Sequence, residues 1–512
     1  MSRLRHTLAN LTANGRWVVI LFAIALVSAD NFADPDLWMH ILAGRLILAG
    51  HVPPMADPYS YSVPGFPWRD HEWFAQAAMA LSYKALGVIG LKLVKVACAA
   101  VMIGALAIGI AQTRAGTGRY FRLVLIVFAA LMVEPMQLRP QIFTFAMLSI
   151  VLATLAVEIY QGGARLWVLV PMFALWVNLH AGYTVGLGAL GIVTAVVSVQ
   201  AIRNSAERSK AVRLAAITVG CGLATLLNPV GLEAIRAVPH AVSDPVFSRL
   251  VVEWQSTPRF IAGLWNNGPR LFVPVALGPI MLFAAFLALI FRAPDSRDAP
   301  MTAIAIVFIC AGLYVARNVS LALIAVAIPL AHRAALALGG QDDSPPAPAL
   351  MAVLAGLLII AGGTFSNRLQ TWRPMPLGAV SFMQRNHLRG NILNQFEWGD
   401  YLAWHKPDSR IFIDSRDDTL YPDRVLLQYA RFYFGLRGGE KVLDAYPNDF
   451  VLLDPESKAY KTMLSEPRWR LIYQDATSAL FQRSAEARKD AMKLSLLAHA
   501  QPQLEQKNAI FP

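Results

Sequence analysis

The chain has 512 residues, of which 56% are hydrophobic and only 15% charged, against about a quarter charged in ordinary soluble domains. That balance excludes a soluble globular protein. The formal net charge of +12 comes from short basic clusters between apolar stretches, where membrane topology places Arg and Lys; with no soluble basic groove, it excludes nucleic-acid binding.

In chain order, Arg3, Arg5 and Arg16 precede an apolar run from Trp17. Val27-Ser28-Ala29 imitates a signal-peptidase site, and the stretch reads as an uncleaved first span. A polar region from Asp30 to Glu72 follows. Within it Leu37, Trp38, Ile41, Leu42, Leu46, Ile47 and Leu48 are apolar while His40 and Arg45 are polar, the pattern of a helix lying in the membrane interface. The stretch from Trp73 to Leu86 has the same amphipathic character. Further spans fall at 91–112, 121–136, 142–160, 166–180, 182–202, 213–228, 271–291, 301–316, 319–337 and 349–365. With the first run this predicts a polytopic α-helical membrane protein of about 11 transmembrane helices.

The loops carrying Arg114, Arg119 and Arg122, then Arg165, then Arg203, Arg208, Lys210 and Arg213 belong in the cytoplasm by their positive charge. The N-terminus is then inside and the region from Asp30 to Glu72 outside. An odd number of spans leaves residues 366–512 outside as well. That segment mixes charges, aromatics and turn residues, with β-like runs from Arg410 to Ile413 and from Phe450 to Leu453, and reads as a small soluble α/β domain. The organisation predicted is a transmembrane domain, 1–365, whose first outer loop is 30–90, and an extracytoplasmic domain, 366–512. Cys98, Cys221 and Cys310 each sit in an apolar segment without a CxxC spacing, so no disulfide framework or zinc site is encoded.

Polar residues at membrane depth are costly and mark function. They collect on the outer side here, which favours an outward-facing site over a path across the membrane. Asp34-Pro35-Asp36 follows the first span, and two carboxylates at that spacing can hold a divalent cation or divide base and orienting roles; the alternative is that they mark the water interface. Asp70-His71-Glu72 is no zinc-protease motif, because Ala75 stands where the second histidine of HExxH would be. His71 and Glu72 read equally as hydrogen-bonded structural residues or as site residues. Arg139 and Arg317, at outer span ends, can grip a lipid phosphate through paired hydrogen bonds or snorkel to headgroups. Asn178 and His180 read as polar glue between helices or as ligand contacts.

These pieces together resemble a known family. Asp34-Pro35-Asp36-Leu37-Trp38-Met39-His40, Gly44-Arg45, Asp57-Pro58-Tyr59-Ser60-Tyr61 and Trp68-Arg69-Asp70-His71-Glu72-Trp73 resemble the first outer loop of the GT-C glycosyltransferase superfamily. The likeness is to a bacterial group related to the protein mannosyltransferase and aminoarabinose transferase branches. Arg139-Pro140-Gln141, Asn178 to Gly182, Asn228-Pro229-Val230-Gly231, Glu253-Trp254, Asn394 to Leu402 and Phe412 to Arg416 extend the likeness over nearly the whole chain. One departure stands out: better-known branches open the second interfacial helix with Lys-Pro-Pro or His-Pro-Pro, where this chain has His71-Glu72-Trp73. Donor contacts made through that element are therefore not carried over.

The resemblance implies transfer of a sugar from a polyprenyl-phosphate donor to a glycan, lipid or protein acceptor on the outer face, with inversion. It implies Asp36 or Asp34 as general base and Arg139 and Arg317 at the leaving phosphate. His40, Asp57, His71, Glu72, His180 and Glu253 are the substrate-binding candidates. Some members use a divalent ion such as Mg²⁺ or Mn²⁺, for which Asp34 and Asp36 would be the ligands. The competing readings are a flippase or transporter for a lipid-linked sugar and a glycan ligase of a polysaccharide pathway. In the C-terminal domain, Tyr401, Trp404, Phe412, Asp414 and Arg416 read either as an acceptor surface or, for the apolar ones, as core.

Overall fold

A computed structural model of the chain describes residues 16–232, 252–267, 273–339, 348, 351–357, 368–416, 419–484 and 508–511. These divide into two compact units that follow contacts rather than chain order. One holds residues 16–30, 89–232 and the described part of 252–357; the other holds 31–88 and the described part of 368–511. The expected last span at 349–365 lies largely outside the described residues.

The first unit is a multi-pass bundle of apolar helices. Four of its helical segments, Val88–Ala111, Gln141–Gln161, Tyr183–Arg203 and Ala316–Leu338, are long and apolar enough to cross a membrane, and shorter apolar helices include Arg16–Ser28, Leu166–Trp176 and Ala299–Tyr314. Apolar side chains turned outward, such as Ile202, Met281 and Phe291, are what lipid-facing helices present. The first helix buries Val18, Val19 and Phe22 against Ile126, Met351 and Leu354. Glycines admit close helix approach: a Cβ on Gly109 would stand 2.5 Å from Ile328 Cδ1, and one on Gly186 2.4 Å from the Trp176 ring.

Several charged residues inside this unit lie outside the outer-side set expected from sequence. Lys95, in the helix Val88–Ala111, is fully buried and pairs with Asp30 at 2.5 Å. A second group joins the turn before the helix Ala299–Tyr314 to the segment Ala316–Leu338. Arg333 Nε donates to Asp298 Oδ2 at 2.7 Å, and its Nη2 donates to the Asp295 carbonyl and to Thr302 Oγ1, both at 3.1 Å. The Tyr160 hydroxyl donates to Asp298 as well, and His332 Nε2 stands 2.9 Å from Asp295 Oδ2. Each buried charge here has a partner and added hydrogen bonds, the condition under which burial is tolerated.

The second unit interleaves residues 31–88 with the C-terminal segment. Phe32–Ala33 pairs in parallel with Leu369–Pro374, which pairs antiparallel with Asn508–Phe511. A five-stranded sheet has the order Arg410–Ile411, Asn391–Asn394, Phe450–Leu453, Ala479–Arg483, Trp469–Gln474. Its first three strands are parallel and its last two antiparallel. All four residues of Phe450–Leu453 are buried, as befits a central strand covered on both faces. The loop then extends this sheet: Ser60 bridges Ile411 in parallel, with Ile411 N–H donating to the Tyr59 carbonyl at 3.0 Å and Tyr61 N–H to the Ile411 carbonyl at 3.1 Å.

The two amphipathic stretches are helices Leu37–Leu48 and Trp73–Leu86. They cross at Gly44, where a Cβ would stand 2.2 Å from the Gln76 carbonyl oxygen and 2.5 Å from Ala80 Cβ. No side chain larger than hydrogen fits there without shifting backbone. Helix Leu37–Leu48 also presents Trp38 to the C-terminal segment, edge-on to Tyr401 at 5.2 Å between ring centroids.

Candidate active site

The acid pair begins the helix Leu37–Leu48. Asp34 is 1% exposed; its Oδ1 accepts the Asp36 N–H at 3.0 Å, and its carbonyl accepts the Leu37 N–H at 3.1 Å. Asp34 therefore shapes the turn that launches the helix. Asp36 stands at the N-cap, makes no side-chain cap bond and is only half-buried.

Asp36 lies within electrostatic reach of Asp400, a residue the C-terminal resemblance quoted without a role. Asp400 is buried, and the Ser415 N–H reaches its Oδ1 at 3.4 Å. Burial first, then Asp414, then Asp36 push its carboxyl well above the usual carboxylate range. The arrangement is a buried carboxyl whose charged form is disfavoured, within electrostatic reach of a second, less buried acid.

Three of the polar residues expected at the site, His40, His71 and Glu72, lie close to one another. His40, one turn beyond Asp36, has Nδ1 3.8 Å from Glu72 Oε2 and 3.4 Å from Gln76 Nε2. His71 Nε2 is 3.9 Å from Glu72 Oε1, and Asp70 Oδ1 accepts the Glu72 N–H at 2.9 Å. Among the described residues no group of three or more His, Cys, Asp or Glu side chains could hold a metal ion. The acid pair alone suits only an ion that completes its shell with water or substrate phosphate.

Asp57 sits elsewhere in this unit. Its Oδ1 accepts the Tyr59 N–H at 3.0 Å and Arg416 Nη1 at 2.6 Å, and its Oδ2 accepts the Ser60 N–H at 2.9 Å. Arg416 also donates from Nε to Asp414 Oδ1 at 2.9 Å and from Nη2 to Asp414 Oδ2 at 2.5 Å, and lies 4.5 Å over the Trp68 ring. Burial alone would lower the Arg416 pKa; Asp414 and Asp57 outweigh it and hold the guanidinium charged. Asp57, Asp414 and Arg416 thus form a closed, buried clasp between the loop and the sheet. Tyr401 and Phe412 are buried too, which makes them core. Trp404, half-buried, carries the Arg45 guanidinium 4.2 Å over its ring.

Asn394 and Gly399 explain the rest of that motif. Asn394 Oδ1 accepts the Phe412 N–H at 2.9 Å while its Nδ2 donates to the Ile413 and Gln395 carbonyls, each at 2.8 Å. A Cβ on Gly399 would stand 2.2 Å from the Ile413 carbonyl oxygen. Both residues serve the sheet.

In the membrane unit the two expected phosphate-binding arginines share one carboxylate. Glu253 Oε1 accepts Arg139 Nη1 at 3.3 Å and Arg317 Nη1 at 3.1 Å, and Arg317 lies 5.3 Å over the Trp254 ring. Glu253, expected to touch substrate, bridges the guanidiniums. The three side chains are partly exposed, at 21%, 29% and 35%, and a guanidinium so placed can bind an anion through paired hydrogen bonds.

His180 is tied into helix packing. Its Nδ1 accepts the Gly182 N–H at 2.9 Å and stands 2.9 Å from Thr144 Oγ1, which in turn accepts the Trp176 Nε1–H at 3.0 Å. Asn178 Nδ2 donates to the Ala174 and Leu227 carbonyls at 2.8 and 2.9 Å.

No protein family and no curated protein matches the chain by sequence. Among solved structures, an apo crystal structure of the Archaeoglobus fulgidus oligosaccharyltransferase aligns over 86% of this chain and 70% of its own, at 13% identity and a TM-score of 0.50. The same enzyme tethered to an acceptor peptide containing the NVT sequon aligns over 87% and 70%, at 12% identity and a TM-score of 0.52. ArnT from Cupriavidus metallidurans bound to undecaprenyl phosphate aligns over 91% and 97%, at 13% identity and a TM-score of 0.42. These structural neighbours are GT-C superfamily glycosyltransferases. The chain has the GT-C fold.

Proposed function

We propose that the chain is an inverting membrane glycosyltransferase that takes a sugar from a polyprenyl-phosphate donor and passes it to an acceptor on the outer face of the bacterial cytoplasmic membrane. In this reading the N-terminus is cytoplasmic and residues 366–512 are extracytoplasmic. The observation that carries the proposal is the Arg139–Glu253–Arg317 cluster, two partly exposed guanidiniums drawn together by one carboxylate. Fold alone does not assign chemistry; this cluster and the ionisable acid at the start of an interfacial helix are what support it.

Asp36 is the general base and Asp34 the residue that positions it. Asp36 takes the proton of the acceptor hydroxyl as that oxygen bonds to the anomeric carbon. The bond from the anomeric carbon to the phosphate oxygen breaks on the opposite side, and polyprenyl phosphate departs with the electron pair. Arg139 and Arg317 hold the phosphate as charge develops on it, while Glu253 keeps the two guanidiniums at a common point. His40, His71 and Glu72 line the sugar and acceptor side of the acid pair. A Mg²⁺ or Mn²⁺ ion held by Asp34 and Asp36 would neutralise phosphate charge.

The test is release of free polyprenyl phosphate by purified protein from a panel of polyprenyl-phosphate sugars, with membrane extract as acceptor, with and without EDTA. Release from a single-sugar phosphate donor supports the transferase. Consumption of only pyrophosphate-linked oligosaccharide would make it a ligase, and movement of donor across vesicles without release a flippase. Loss of release in EDTA would assign the metal.

A further inference from the structure

The five-stranded sheet of the second unit winds in two directions from the strand Asn391–Asn394. After that strand the chain passes through Gly399–His405 to Arg410–Ile411 on one flank, then crosses to Phe450–Leu453 on the other flank and continues outward. The carboxyl ends of Asn391–Asn394 and Phe450–Leu453, adjacent and parallel, therefore lead in opposite directions. Crevices at such switch points are where open α/β sheets bind ligands, because the diverging connections leave a gap that backbone ends surround.

A cleft of about 390 Å³ opens at this place, within the range of small-molecule sites. Gln395 and Glu397 follow the first strand, Asp454 and Glu456 follow the second, and Arg373 and Ala476 stand at its rim. The floor is braced: Gln395 Oε1 accepts the Asp454 N–H at 3.1 Å, and the Gln395 N–H donates to the Leu452 carbonyl at 3.0 Å. Trp398, 2% exposed, closes one wall with its indole N–H on the Pro374 carbonyl at 3.1 Å. Arg373 pairs with Glu397. None of these residues belongs to the acid pair, to the arginine cluster or to the Asp57–Arg416 clasp.

Three carboxylates against one guanidinium make the cleft negative. Phosphates, sulfates and uronates are repelled by it, whereas groups that donate hydrogen bonds to carboxylate oxygens are favoured. Hydroxyls in number, and ammonium groups, are such donors. We propose that this cleft is a saccharide subsite that holds uncharged or amine-bearing sugar units of a glycan. The choice of saccharide over other hydroxyl-rich molecules rests on the transferase reading; the existence and charge preference of the site do not. Its role is to retain the glycan while the reaction proceeds elsewhere on the protein.

The experiment measures binding to the full chain in nanodiscs, with no donor present, by microscale thermophoresis. The probes are chitotriose, its de-acetylated trimer, a glucuronate-containing trisaccharide and MgCl₂ alone. Two variants are compared with wild type: Ala476→Trp, which fills the cleft and leaves its charges, and Glu397→Gln/Glu456→Gln, which leaves its volume and removes two charges. The expected result is binding of the neutral and amine-bearing trimers, with the amine-bearing one the tighter at low ionic strength and no binding of the uronate. Ala476→Trp should weaken both at least tenfold, and the double Gln variant should abolish the amine preference. The proposal is overturned if no saccharide binds, if only Mg²⁺ binds, or if neither variant changes affinity. Because donor turnover is assayed separately, an inactive transferase that binds saccharide, or an active one that does not, separates the two conclusions.

Discussion

The molecule contains two arginine clusters that sequence alone treats alike. Arg416 is buried and held by two carboxylates, Asp414 and Asp57, which take its hydrogen bonds and outnumber its charge. Arg139 and Arg317 are partly exposed and share the carboxylate of Glu253. The first arrangement is closed and stitches two distant parts of the chain; the second is open to solvent. Charge balance and access, more than residue type, separate a structural arginine from a binding one.

The sharpest way to break this contrast is to remove the cation from each cluster. Arg416→Met leaves Asp57 and Asp414 buried without their counter-ion, and should cost about 3–5 kcal/mol of stability, read as loss of monodisperse, folded protein by fluorescence-detected gel filtration and a lowered Tm. Arg317→Ala should leave Tm nearly unchanged and weaken polyprenyl-phosphate binding by about ten- to a hundredfold, the worth of about 1.5–3 kcal/mol for a hydrogen bond to a charged group; equal stability losses in both variants would erase the distinction. Gly44→Ala sharpens the account of the interfacial helices: overpacking against the Gln76 backbone should cost about 1–3 kcal/mol, and an unchanged Tm would show that the two helices do not cross so closely.

The last prediction concerns a slope. The folded-state pKa of Asp400 is raised above its unfolded value, chiefly by burial, so the folded state binds the proton more tightly. Stability on this account falls as pH climbs from the ordinary carboxylate range toward the raised pKa. Asp400→Asn should flatten that fall and leave stability at acid pH unchanged; a steeper fall in the variant would mean that Asp400 is ionised in the fold.

Much of the bundle was legible because hydropathy over about 20 residues is a strong local signal. The expected spans at 91–112, 142–160 and 182–202 correspond to Val88–Ala111, Gln141–Gln161 and Tyr183–Arg203. The helical character of the two amphipathic stretches and the strand Phe450–Leu453 were legible as local patterns of apolar residues. The union of the first loop with the C-terminal segment was not. Ser60 meets Ile411, and Phe32 meets Gln370, across more than three hundred residues, and no local pattern encodes such partners.

Asp57 was misplaced among substrate contacts for that reason, since its partner Arg416 lies 359 residues away. Arg333, His332 and Lys95 were passed over despite a usable signal, a charged or polar residue within an apolar helix. The fold gives Arg333 and Lys95 buried partners. Asp36 stands one residue before the first helix of the loop, and Asp400 lies within its electrostatic reach.

The most direct measurement is the single-turnover rate of polyprenyl-phosphate release at saturating donor for wild type, Asp36→Asn and Asp34→Asn, each shown to be folded by its Tm. The account predicts a rate loss of about 10²- to 10⁴-fold for Asp36→Asn, the worth of a general base, with donor affinity retained, and a smaller loss accompanied by a lowered Tm for Asp34→Asn. Full activity in Asp36→Asn would contradict it.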